Sequence, residues 1–229
     1  MYKRGLQIWA TLLIVTLIAS GCESSPQAAI AFRRFASVGR NADDFSRIFK
    51  ERRATPSRVQ EFVNARSTAE SKGFTLLTRV SNSQTVAQAF LDEYNQSTTG
   101  QIFTLVGHNE GGKFRFYDGS EINLNSVGQN EAGGILAVIS CESGRYVEGR
   151  AVGVPTDVTY NIAFSTEEKL RRRLDNAAAA GIVIDPSRAK EELLAALDET
   201  ARERQVRVLY YSIGSGGVVG VAIYLPSRG

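Results

Sequence analysis

Two residue types that carry nucleophilic and acid–base chemistry are scarce in this 229-residue chain, which has one histidine, His108, and two cysteines, Cys22 and Cys141. His108 follows the apolar run at residues 102–106, and Cys141 follows the apolar run at residues 135–139. A thiolate attacks carbonyl carbon; a nearby imidazole takes the thiol proton and returns it to a leaving amine. Backbone N–H groups in tight loops after strands face the same cleft and can bind an oxyanion. Spacing alone leaves the blander alternative equally open, because a free cysteine is often a small buried hydrophobe and a lone histidine a satisfied polar group. One histidine with two cysteines cannot furnish a four-ligand Cys/His zinc site, so no metal is expected there, and no cofactor is called for.

The elements around these residues alternate. Ile30, Phe32, Phe35 and Val38 fit either a strand or a helix edge, and residues 43–53 read as helical. Thr55-Pro56 opens a helix through Val59, Phe62 and Val63 that ends near Gly73, and residues 74–80 read as a strand. Ser83 then caps a helix with Val86, Ala89, Phe90 and Tyr94 on one stripe. Residues 102–106 form a buried strand, 113–117 a short strand closed at Asp118-Gly119, and 135–139 a central parallel strand. Ser165 and Glu168 suggest a capping box for a helix through Leu170 and Leu174 to Gly181, followed by a short strand at 182–184. Asp185-Pro186 starts a last helix with Leu193, Leu194, Leu197 and Ala201 inward, and residues 206–213 and 218–225 end the chain as two strands. This alternation predicts an α/β fold, a three-layer α-β-α sandwich with a mainly parallel sheet. Sites in such sheets gather at the carboxyl ends of strands, where His108 and Cys141 both fall.

Leu105-Val106-Gly107-His108, then Phe116-Tyr117-Asp118-Gly119 with Ile122 and Leu124, then the stretch from Leu136 to Cys141-Glu142-Ser143-Gly144 resembles the core of the caspase-like cysteine peptidases. The CHAT peptidases and metacaspases are the nearest in pattern. The resemblance covers about residues 55–150, and residues 30–229 are expected to form a single caspase-like domain. It implies Cys141 as nucleophile and His108 as general base and acid; Gly107 would set the turn, and backbone N–H groups near Asn109 and Cys141 would bind the oxyanion. Ser140 and Glu142 flank the nucleophile as candidate pocket residues. Two positions depart from the family. Its glycine after the histidine is Asn109 here, and its acid two residues before the nucleophile is Ile139, which leaves a preference for a basic P1 side chain unsupported.

The first 21 residues read as a secretory signal: Lys3 and Arg4, then an uncharged run at residues 8–19 too short to span a membrane. Ala19-Ser20-Gly21-Cys22 resembles a bacterial lipobox, which implies that Cys22 carries the acyl chains, that residues 22–29 are a tether, and that the protein is anchored in the cell envelope, in the outer membrane where there are two. The formal charge of +3 falls to +1 once Lys3 and Arg4 leave, which gives no case for nucleic acid. The glycines at 214, 216 and 220 lie between strand-like runs and open no helix, so they are not a dinucleotide loop. The expected function is a lipid-anchored cysteine endopeptidase acting on protein or peptide substrates. The alternative is a catalytically inactive caspase-like module that serves as an envelope binding or scaffold lipoprotein.

Overall fold

A computed structural model describes residues 30–39, 41–49, 55–77, 84–204, 206–213 and 217–224. The expected signal and tether, with Cys22, lie outside the described residues, as do residues 78–83, Ser83 among them, and the glycines at 214 and 216. Among the described residues no helix is long and apolar enough to cross a membrane.

The opening segment is extended: β1 (Ala31–Ala36) buries Phe35 and Ala36. Two helices follow, α1 (Ala42–Phe49) and α2 (Pro56–Ser71), the second with Pro56 in its first turn, where a missing N–H costs nothing. The strand expected at 74–80 is described only as the two-residue β2 (Thr75–Leu76). Helix α3 (Val86–Asn95) is capped by Thr85, whose hydroxyl accepts from the Gln88 N–H at 3.2 Å. Strand β3 (Gln101–Val106) then leads through Gly107 into β4 (His108–Glu110), β5 (Lys113–Arg115) and β6 (Glu121–Asn123), a small antiparallel sheet of which sequence patterning showed one strand. The short helix α4 (Leu124–Val127) leads to β7 (Ile135–Ile139), and β8 (Ala151–Gly153) is a three-residue strand too short to carry a periodic signal.

Helix α5 (Tyr160–Ala179) starts five residues before the Ser165–Glu168 pattern, capped by Thr159. Ile162, Ala163 and Phe164 are buried, and that burial extends the helix upstream, leaving Ser165 inside it to accept from Arg204 at 3.0 Å. Residues 182–184 form no strand; Ile182 and Val183 are exposed and Ile184 alone packs on the core. Helix α6 (Pro186–Glu203) is capped by Asp185, and β9 (Val206–Ile213) and β10 (Gly217–Tyr224) pair as an antiparallel hairpin.

The central sheet has five parallel strands in the order β2-β1-β3-β7-β8. Its side chains alternate between two cores, as a pleated sheet covered on both faces requires. Ala36, Ile102, Val106, Ala137 and Ile139 meet α2, α5 and α6 on one side; Phe35, Phe103, Leu105, Leu136 and Val138 meet α1, α3 and the small sheet on the other. The fold is an α/β sandwich of three layers. Because β1 is flanked by β2 on one side and β3 on the other, the strand order reverses between β1 and β3, the switch point beside which such sheets leave a crevice.

One buried ion pair fastens the layers. Arg34 on β1 grips Glu167 on α5 with two hydrogen bonds, at 2.8 and 2.7 Å, and the Thr104 hydroxyl on β3 donates to the same carboxylate at 3.0 Å. The guanidinium also lies over the Phe74 ring, 4.2 Å from its centroid.

Candidate active site

The parallel register brings three strand ends level. Ala36 pairs with Val106 and Val106 pairs with Ile139. His108 and Cys141 each lie two residues beyond the same cross-strand pair, so they leave neighbouring strands side by side at the carboxyl edge. Both line one cleft of about 480 Å³. Gly107 and Glu110 complete its β-sheet side, and Phe45, Glu61, Phe62, Thr159 and Tyr160 come from α1, α2 and the start of α5.

Gly107 has no left-handed backbone, contrary to a turn-setting glycine. Its hydrogen faces the Phe114 ring instead: a Cβ there would lie 3.0 and 3.1 Å from Cε2 and Cε1 and nearer still to Cζ. His108 sits directly opposite Arg115 across the β4–β5 ladder. Arg115 in turn is ion-paired with Glu110 at 3.0 Å and Glu121 at 3.2 Å, and its Nη1 donates to the Ile48 carbonyl at 3.3 Å. Asp118 points elsewhere, accepting from the Val86 N–H at 2.9 Å at the head of α3 and from Ser120 within its own turn.

Cys141 lies in the turn that ends β7. Ser143 N–H closes this turn on the Ser140 carbonyl at 3.1 Å, and Glu142 adopts the left-handed region with φ 50°. Ser143 fastens the turn from below, its hydroxyl donating to the Val138 carbonyl at 2.7 Å and accepting from the Val154 N–H at 3.1 Å. A Cβ on Gly144 would meet the Gly153 carbonyl oxygen at 2.9 Å, which is why the turn can lie against the end of β8. The thiol rests 3.5 Å from the Val158 carbonyl. Burial pushes its pKa up from the ordinary value; hydrogen bonding with the Val158 backbone works against the rise, and the Asp157 carboxylate adds to it. Tyr160, whose hydroxyl stands 3.5 Å from the Ser37 carbonyl, is raised too, by burial first and then by the neighbouring Cys141 and Glu61.

Of the residues singled out in the sequence, His108, Cys141 and Gly107 meet at the cleft. Ser140 and Glu142 do not line it: Ser140 is fully buried, and the Glu142 carboxylate turns to Arg145 at 2.8 Å. Asn109 lies in β4 without a left-handed backbone, and its side chain does what the sequence did not suggest: Nδ2 donates to the Cys141 carbonyl at 2.7 Å. The far wall, residues 158–160, has no sequence motif of its own; the signal it carries is the threonine three positions before Ile162, a helix cap.

No protein-family model matches the sequence, and no curated protein matches it.

Proposed function

We propose that the protein is a lipid-anchored cell-envelope cysteine endopeptidase of the caspase-like type, with Cys141 as nucleophile and His108 as base and acid. The observation that carries this is the shared cleft at the carboxyl ends of β3 and β7, where the register sets the two residues level. With its pKa raised, the thiol is protonated at rest near neutral pH. The imidazole therefore takes the proton as the carbon–sulfur bond forms, and the carbonyl electron pair moves to oxygen. Collapse of that oxyanion breaks the carbon–nitrogen bond, the His108 proton goes to the departing amine, and an acyl thioester remains. Water then gives a proton to His108 and attacks the thioester; the thiolate leaves and is reprotonated, and a carboxylic acid is released.

The envelope location rests on the lipobox resemblance at Cys22. Fractionation is expected to release Cys22→Ser from the membrane or leave it unprocessed; membrane attachment at mature size would contradict the anchor.

An inert binding module is favoured by one specific observation, the burial and the Asp157 charge that both oppose a thiolate. Acylation by a chromogenic aryl ester separates the two. Loss of the reaction in Cys141→Ala and a drop of roughly 100-fold in His108→Ala support the dyad. His108→Ala reacting as fast as wild type would leave the inert module standing.

A further inference from the structure

Of the polar groups on the two peptides that flank the Cys141 α-carbon, three are held. The Ser140 carbonyl accepts from Ser143, the Glu142 N–H donates to the Thr156 carbonyl at 2.9 Å, and the Cys141 carbonyl accepts from Asn109 Nδ2. The fourth is the N–H of Cys141 itself. Holding the 141–142 peptide this way places Glu142 at φ 50°, ψ 20°, a conformation that non-glycine residues adopt only when neighbours impose it. Among the holding partners Asn109 alone uses a side chain. It is only 6% exposed, and its Oδ1 has no hydrogen-bond partner, so the residue is poorly placed for stability alone.

We propose that Asn109 is a positioning residue: by gripping the Cys141 carbonyl it holds the strained nucleophile turn so that the Cys141 N–H stays aimed at the oxyanion. This rests on Cys141 being the reacting group. Asn109 thus acts across the strand gap through its side-chain amide.

Two reactions of the same thiol test it. Acylation by 4-nitrophenyl acetate passes through an oxyanion: sulfur bonds to the carbonyl carbon, the proton goes to His108, and 4-nitrophenolate leaves. Alkylation by iodoacetamide displaces iodide and forms no oxyanion. Asn109→Ala is expected to slow acylation about tenfold, because loss of one buried hydrogen bond loosens the aim of the oxyanion donor, while alkylation changes by less than about twofold. Glycine adopts the left-handed region without penalty, so Glu142→Gly in the Asn109→Ala background is expected to restore most of the acylation rate. Should Asn109→Ala fail to fold, Asn109→Ser, uncharged and shorter than the span to the Cys141 carbonyl, reads the same contact without placing a charge beside the thiol. Equal slowing of both reactions, an unchanged acylation rate, or no recovery in the double variant overturns the proposal. Failure of the dyad itself looks different: His108→Ala then acylates like wild type, whatever Asn109→Ala does.

Discussion

Gly107→Ala tests whether close packing, rather than backbone freedom, fixes the residue before the histidine. Carbon atoms in contact sit about 3.5–4.0 Å apart, whereas the new Cβ would fall 3.0 and 3.1 Å from two Phe114 ring carbons. The ring cannot retreat freely: Phe114 is fully buried and packs edge-on against Phe116 at 5.4 Å. Overpacking of this kind costs about 1–3 kcal/mol. Because Gly107 has no left-handed backbone, alanine adds no strain and recovers about 0.4–1 kcal/mol by restricting the unfolded chain. The expected net loss is about 1–2 kcal/mol. Replacing the ring removes the clash, so Gly107→Ala with Phe114→Leu should be more stable than the sum of the single changes by at least about 1 kcal/mol. Urea unfolding of the four proteins, with the slope checked for constancy, gives the cycle. Additivity within about 0.3 kcal/mol, or a neutral Gly107→Ala, would refute the packing account.

Glu167→Gln keeps the side chain's shape but strips the countercharge from Arg34, which is only 17% exposed; a loss of about 2–3 kcal/mol by urea unfolding is expected, largely recovered by adding Arg34→Met. Glu61 and Glu110 line the cleft and Asp157 stands beside Cys141, so iodoacetate should label Cys141 several-fold more slowly relative to iodoacetamide than it labels free cysteine. That gap should narrow at about 1 M salt, and a salt-independent ratio would contradict it. Lys169 donates to Glu199 at 2.8 Å and Glu203 at 2.6 Å, and its ammonium holds the Glu199 carboxyl below its ordinary value. A depressed carboxyl pKa contributes stability above the unfolded value that is lost as pH falls through the folded one. The difference in urea midpoint between wild type and Lys169→Met should therefore be flat near neutrality and shrink in acid below the ordinary value of 4.5; a difference that grows in acid would contradict the pairing.

What sequence patterning could resolve depended on how far each signal extends along the chain. The runs that became β3 and β7 are apolar throughout because both faces of the sheet are covered, and that continuity placed His108 and Cys141 at strand ends. Helix caps carry a weaker signal. Ser165 and Glu168 have the spacing of a helix start, yet the apolar residues before them are drawn into the core, so tertiary burial moved the start to Tyr160. Strand β8 has three residues and is held by pairing with β7, which no local pattern records. Asn109 was legible as a departure from a glycine but not as a donor to Cys141, since that contact joins residues brought together only by the β3–β7 register and the β4 strand.

The level ending of β3 and β7 has a consequence for how such a site tolerates change in chain length. In a parallel ladder, sliding one strand by a single residue moves every side chain to the opposite face, and sliding it by two shifts it about 6.6 Å along the sheet. The spacing of His108 and Cys141 is therefore quantised. Side-chain replacements around the cleft can alter it by fractions of an ångström, whereas one residue inserted within 101–108 or 135–141 removes a partner outright. Between those windows the chain leaves the ladder for the small sheet and α4, and the 128–133 connection is itself pinned, the Asn130 side chain donating to the Tyr94 carbonyl and the Gly128 carbonyl accepting from the Arg150 N–H.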